Sequence, residues 1–294
     1  MSAILDKVKN RLPGGLYYER FRGTKALKGT EWDFLYQLTK EQLLHGVSSE
    51  PAVLTLGKGI DRFRKGDELD FGIIKLPKEC DIDGWLIADL ILPYLAHNNA
   101  FCAEGTYEEF GLAVKQGDIV IDAGANMGVF TAFAAKYRGA EVHAFEPIDE
   151  TVKGLEKTIA INQIADRVQV VTKALGDRPH EAEIAVTDNV GTSTLVSEME
   201  SGLRVTERRK IQITTVDQYV LENKLERIDF IKADIEGSER YMLTGAADTL
   251  REFKPQLAIC TYHLPDDPEV LTDIIKTANP AYEIQYGRAK LYAK

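Results

Sequence analysis

From residue 118 onward the chain alternates between two hydrophobic periods. Short β-branched runs such as Ile119-Val120-Ile121 give way to longer stretches whose apolar positions recur every three to four residues. Uninterrupted apolar runs suit strands covered on both faces, and their alternation with helical stretches suits a parallel sheet with crossover helices. The pattern predicts strands at 119–121, 142–145, 168–171, 228–233 and 257–261, and helices at 129–137, 152–161, 238–250 and 268–278. Residues 181–186 and 209–214 read as further extended segments around a polar loop. The C-terminal stretch 282–292 reads as two strands about a Gly287-Arg288 turn. The expected fold class is α/β, a doubly wound and mostly parallel sheet.

The first hundred residues are less regular. A helix is expected near 31–45, strands near 53–56 and 71–76, and a helix near 85–97. Turns are expected at Gly14-Gly15, Gly57-Lys58-Gly59 and Gly66-Asp67. This divides the chain into a mixed α/β extension, residues 1–105, and a main domain, residues 106–294. The extension has two readings: a cap that closes on a substrate, or a layer that packs on the sheet.

Asp122-Ala123-Gly124-Ala125-Asn126-Met127-Gly128 joins the first strand to its helix. In open parallel sheets ligands sit beyond the carboxyl ends of the strands, and glycines at such a turn let backbone approach closely. A dinucleotide fingerprint reads G-x-G-x-x-G, whereas Gly124-x-Asn126-x-Gly128 follows a carboxylate that would repel a pyrophosphate. The arrangement suits a ligand with adenosine at one end and a cationic amine at the other. S-adenosylmethionine is such a ligand, with Asp122 meeting its amine and the turn amides receiving its carboxylate. Glu146, in Ala144-Phe145-Glu146-Pro147, lies 24 residues after Asp122 at the end of the second strand. One carboxylate there can accept from both hydroxyls of a ribose.

Candidate catalytic groups end the later strands. Asp234 and Glu236, two residues apart, share a side of the fourth strand. One of them would orient a ligand or substrate while the other accepts a proton. A paired-carboxylate metal site is an alternative, as is Glu236 capping the following helix, with Ser238 as a further cap. No metal is assigned. His263, in Cys260-Thr261-Tyr262-His263-Leu264-Pro265, follows the fifth strand, and its ordinary titration range suits a base. A hydrogen-bonded loop histidine is the alternative. Tyr107, Glu108 and Tyr262 are expected near the same mouth.

Asp122–Gly128 resembles the first motif of class I S-adenosylmethionine-dependent methyltransferases. Lys232-x-Asp234-x-Glu236-Gly237-x-Glu239 resembles the K-x-D-x-E-G-x-E signature of the FkbM family within that class. The resemblance covers roughly residues 100–294. It implies a Rossmann-like sheet of seven strands with an antiparallel seventh strand in the C-terminal hairpin, and Ala174 and Leu175 as a wall of an adenine site. It also implies O-methylation of a small-molecule hydroxyl on a sugar, polyketide or other natural product. Competing readings are a nicotinamide-dependent oxidoreductase, a binding module without chemistry, and methylation of an amine or protein side chain. The fourth strand lacks the Asn/Asp-Pro-Pro-aromatic element that stacks a flipped base, which argues against a nucleobase acceptor.

Composition narrows the partners. With 36 basic and 46 acidic residues the net charge is −10, which disfavours nucleic acid and anionic lipid. Residues 204–210 form a local basic patch, read as a solvated loop. The three cysteines, Cys80, Cys102 and Cys260, form no C-x-x-C pair and are expected as reduced thiols in a cytoplasmic protein. The greasiest stretch, 85–101, is interrupted by Asp89, Pro93, His97 and Asn98, so no membrane span is expected. A homo-oligomer is compatible with the sequence.

Overall fold

The computed structural model describes residues 21–45, 49–79, 84–187, 193–195 and 204–294. The expected Gly14-Gly15 turn, Cys80 and most of the polar loop after residue 187 lie outside the described residues. The chain divides into two compact units between Thr106 and Tyr107.

In the first unit, helix Asp33–His45 forms where expected. The strand expected at 53–56 is instead part of helix Glu50–Ile60. Its buried residues, Ala52, Leu56, Gly59 and Ile60, fall three to four apart, and Pro51 sits in the first turn where its missing N–H does no harm. The helical period outweighed the β-branched Val53 and Thr55. Strands β1 (Arg64–Lys65), β2 (Glu68–Asp70) and β3 (Lys75–Pro77) form an antiparallel sheet. The single strand expected at 71–76 is broken by a turn at Gly72, φ +79°, closed by Phe71 N–H donating to Ile74 O at 3.0 Å. Helices Gly84–Leu90 and Leu92–Ala96 follow.

The second unit is built on a seven-stranded sheet. Its strands are β4 (Ile119–Ala123), β5 (Glu141–Phe145), β6 (Val168–Val171), β10 (Phe230–Ala233), β11 (Gln256–Cys260), β12 (Ile284–Tyr286) and β13 (Lys290–Ala293). They lie in the order β12-β13-β11-β10-β4-β5-β6. Neighbours from β11 to β6 are parallel, and β13 is antiparallel to both of its neighbours. The order reverses between β4 and β10, so their carboxyl ends diverge into the crevice where ligands bind in such sheets. This is the doubly wound architecture the strand pattern predicts. Ile121, Ala123, Ile231, Ala233 and Ile259 anchor one core cluster.

A second sheet has the order β7-β9-β8, from β7 (Ala174–Leu175), β8 (His180–Thr187) and β9 (Val205–Thr214). The basic residues read as a solvated loop therefore lie largely in β9. Arg209 pairs with Glu150 and Glu207, and Lys210 with Glu181 at 2.9 Å, so acidic neighbours answer the patch. Helix 238–250 is two helices, Glu239–Thr244 and Ala247–Glu252. The break falls at Gly245, where a Cβ would overlap the Gly176 carbonyl. Helix Val216–Glu222, capped by Thr215 Oγ1 accepting from Gln218 N–H at 2.9 Å, was not anticipated. Cys102 and Cys260 are buried thiols. Among the described residues no helix is long and apolar enough to cross a membrane.

Candidate active site

The turn after β4 is shaped by what presses on it from inside the protein. Gly124 has φ +75° and Gly128 φ +86°, and Asn126 adopts φ +48°. A side chain at Gly124 would overlap the carbonyl of Asp234, and one at Gly128 would meet Leu155 Cδ1 at 2.6 Å. These glycines are expected to face a close ligand, yet the close approach comes from the residue after β10 and from helix Asp149–Asn162. The amides are spoken for as well. Gly124 and Ala125 N–H donate to Phe145 O at 3.1 and 2.9 Å, Asn126 N–H to Glu146 Oε2 at 3.1 Å, and Gly128 N–H to Ala125 O at 2.9 Å. These four are thus committed within the protein and do not receive a ligand carboxylate, which corrects the expectation.

Asp122 is fully buried. Thr131 Oγ1 donates to its Oδ2 at 2.6 Å, and Lys232 Nζ lies 3.0 Å from its Oδ1. Lys232 also donates to the carbonyls of Ala123 at 3.2 Å and Gly124 at 2.7 Å. Burial disfavours its ammonium, but the Asp122 and Asp234 carboxylates outweigh that and hold the lysine above its ordinary range. Asp122 is therefore the counter-ion of a lysine that pins the glycine turn to β10, not an exposed partner for a ligand amine.

Glu146 stands where the sequence placed it, at the end of β5 and beside the turn. Its Oε2 accepts from Asn126 N–H, and its Oε1 accepts from Ile148 N–H at 3.0 Å. Burial pushes the carboxyl up to about 7 against the downward pull of those two amides. An ionised carboxylate has roughly four lone-pair sites, so each oxygen keeps capacity for a further donor. Ala174 and Leu175 are buried, but in two different apolar clusters and in a separate strand, β7, beyond the end of β6.

At the ends of β10 and β11 three acidic side chains gather around one imidazole. His263 is 1% exposed. Its Nδ1 lies 3.0 Å from Glu239 Oε1, and its Nε2 lies 3.5 Å from Asp234 Oδ1 and 3.7 Å from Glu236 Oε2. Burial favours the neutral ring, yet Glu239, Glu236 and Asp234 prevail and push the histidine up to about 10. An imidazole in this setting holds its proton at neutral pH. That corrects the expectation of a base with an ordinary titration range.

Asp234 accepts from Tyr107 Oη at 2.9 Å on Oδ2 and from Tyr262 Oη at 3.1 Å on Oδ1. Burial raises its carboxyl, but Lys232, His263, Lys290 and the Tyr107 hydroxyl outweigh it and keep the group below the usual range. Tyr107 and Tyr262 thus join the site as expected. Glu108 does not, because it accepts from Val114 N–H at 2.8 Å and pairs with Arg138. Glu236 has φ +52°, and its carbonyl accepts from Thr194 Oγ1 at 2.8 Å. The acidic group at the start of the next helix is Glu239, which accepts from Ile235 N–H at 2.8 Å; Ser238 makes no side-chain cap.

Lys232 and Glu239 were absent from the candidate residues, although both belong to the quoted signature. A lysine inside the apolar run Phe230-Ile231-Lys232-Ala233 is itself a signal, since lysine is almost never fully buried without a partner.

Comparison with known proteins supplies the last observations. Over 170 residues the chain is 28% identical to "Methyltransferase sdnD" of Sordaria araneosa, covering 49% of this chain and 66% of that protein. Over 188 residues it is 28% identical to "31-O-demethyl-FK506 methyltransferase FkbM" of Streptomyces tacrolimicus, covering 52% of this chain and 72% of that protein. A crystal structure of a methyltransferase FkbM from Methylobacillus flagellatus KT aligns with TM-score 0.49 and 17% identity, covering 99% of this chain and 58% of that one. The chain thus spans just under two thirds of the Sordaria protein and less of the Methylobacillus one. Residues 122–279, which hold every acidic and imidazole group of the site, match the model for the methyltransferase FkbM domain over more than half of the chain, and the chain belongs to that family.

Proposed function

We propose that the protein is an S-adenosylmethionine-dependent O-methyltransferase acting on a hydroxyl of a small molecule. The observation that carries the donor assignment is Glu146, a buried carboxylate beside the glycine turn with one amide on each oxygen and acceptor capacity left on both. That is the chemistry a ribose diol needs. The donor would lie along residues Gly124, Asn126 and Gly128, with Ala174 and Leu175 as the adenine-side wall. When bound, S-adenosylmethionine supplies an electrophilic methyl group on a sulfonium.

The chain's own groups deal with the acceptor. Asp234 is held anionic, and each of its oxygens accepts from a tyrosine hydroxyl, so it orients and stabilises positive charge better than it takes a proton. Glu236, two residues on, is assigned the proton of the attacking hydroxyl. His263, kept charged among the carboxylates, acts as their counter-charge. Alignment and exclusion of water contribute the remainder. Every group named here belongs to the second unit. The Streptomyces relative, named a 31-O-demethyl-FK506 methyltransferase, supports an oxygen acceptor.

Calorimetry with S-adenosylhomocysteine tests the donor site. Saturable binding that Glu146→Ala weakens at least tenfold is expected. Absence of binding to the folded wild-type chain refutes the proposal. With donor binding established, Glu236→Gln is expected to lower kcat for methyl transfer while leaving the donor Kd within a few-fold.

A further inference from the structure

We propose that Asp234, Glu239 and His263 form a binding site for one divalent first-row cation. Each offers one donor atom, and the three atoms lie within 4.8 Å of one another. They come from the residue after β10, the first residue of helix Glu239–Thr244, and the segment just past β11. Glu239 is fully buried and its Oε2 has no hydrogen-bond partner; the same holds for Nε2 of the buried His263. Two buried polar atoms without hydrogen bonds in one cluster require an explanation, since such atoms are costly.

On the Nδ1 side His263 meets Glu239 Oε1 at 3.0 Å, a direct hydrogen-bond distance, whereas the spacing at Nε2 fits a shared cation. His263 Nε2 and Asp234 Oδ1 are 3.5 Å apart, at the limit for a hydrogen bond. Donor atoms bound at about 2.1 Å to a tetrahedral ion lie about 3.4 Å from one another. The charge also fits. The carboxylates of Asp234, Glu236 and Glu239 all lie within 3.7 Å of one imidazole, His263, so three acids converge on one ring. A divalent ion would take the place of the imidazolium proton as counter-charge.

Two carboxylates and one imidazole suit Mn²⁺, Fe²⁺ or Zn²⁺ rather than the all-oxygen shells of Ca²⁺ and Mg²⁺ or the thiolate sites of Cu⁺. Binding itself stands apart from the methyl-transfer reading. The use of the ion rests on that reading: at this position it would lower the proton affinity of the acceptor hydroxyl.

The test is a titration of the chelator-stripped full chain with MnCl2 alone, followed by the electron paramagnetic resonance signal of free Mn²⁺. One saturable site per chain is expected, displaced by Zn²⁺, and weakened about tenfold or more by Asp234→Asn and by His263→Gln. Asp234 is partly exposed, so Asp234→Asn keeps the test decisive if the buried His263→Gln chain fails to give a native circular dichroism spectrum. Failure of the wild-type chain to saturate overturns the site, as does uptake that the folded variants leave unchanged. S-adenosylhomocysteine binding without Mn²⁺ uptake overturns the metal site and leaves the donor site standing. Mn²⁺ uptake without S-adenosylhomocysteine binding sustains the metal site and overturns the donor site.

Discussion

Replacing Lys232 by Met leaves the fully buried Asp122 carboxylate with Thr131 as its remaining donor, and frees the carbonyls of Ala123 and Gly124. Removing one member of a buried ion pair costs about 3–5 kcal/mol, because the survivor stays charged and desolvated. The side chain is 5% exposed and its partner 0%, so solvent screening offers little relief, and the upper half of that range applies. Asp122→Asn in the Lys232→Met background removes the stranded charge, so the double variant should be more stable than the sum of the single losses implies. A coupling of about 1.5–3 kcal/mol is expected. Urea denaturation followed by far-ultraviolet circular dichroism measures it. Additivity within about 0.5 kcal/mol, or a single loss below about 1 kcal/mol, would refute the role given to the lysine.

The Glu146 carboxyl titrates at about 7 in the folded chain against 4.5 for the free group. The folded state then binds more protons between these values, so stability falls as pH rises through that window and levels off above it, by at most about 3 kcal/mol. Urea midpoints at pH 5 and pH 8 should converge in Glu146→Ala relative to wild type; an equal drop in both chains removes the argument. Gly124→Ala forces a Cβ onto the Asp234 carbonyl at φ +75° and should cost about 2–5 kcal/mol by thermal or chemical denaturation. A near-neutral result would mean the strand ends are further apart than described. Gly57, inside helix Glu50–Ile60 with nothing within 4 Å of an added Cβ, is the opposite case: Gly57→Ala should stabilise by about 0.5–1 kcal/mol, and destabilisation would count against that helix.

The alternation of uninterrupted apolar runs with helical periods determined the sheet, because a strand buried on both faces and an amphipathic helix leave different imprints on the chain. Ile119–Ala123, Phe230–Ala233 and Gln256–Cys260 were legible in this way, as was Glu146 at a strand end. Local patterns were weaker at 53–56, where four apolar or β-branched residues suit either period and only packing decided for helix. They were silent on partners. Asp122 and Asp234 look alike in sequence, each an acid at the end of a buried strand. Tertiary structure alone gave the first to Lys232 and Thr131 and the second to two tyrosines beside the imidazole. His263 reads as an ordinary base until three acids, two from the turn after β10 and one from the helix that follows, are set against it. For the central strands of the large sheet, local period indicates which residues end them and which are buried. Charge state and contact depend on groups far apart in the chain, and those are set only when the strands lie side by side.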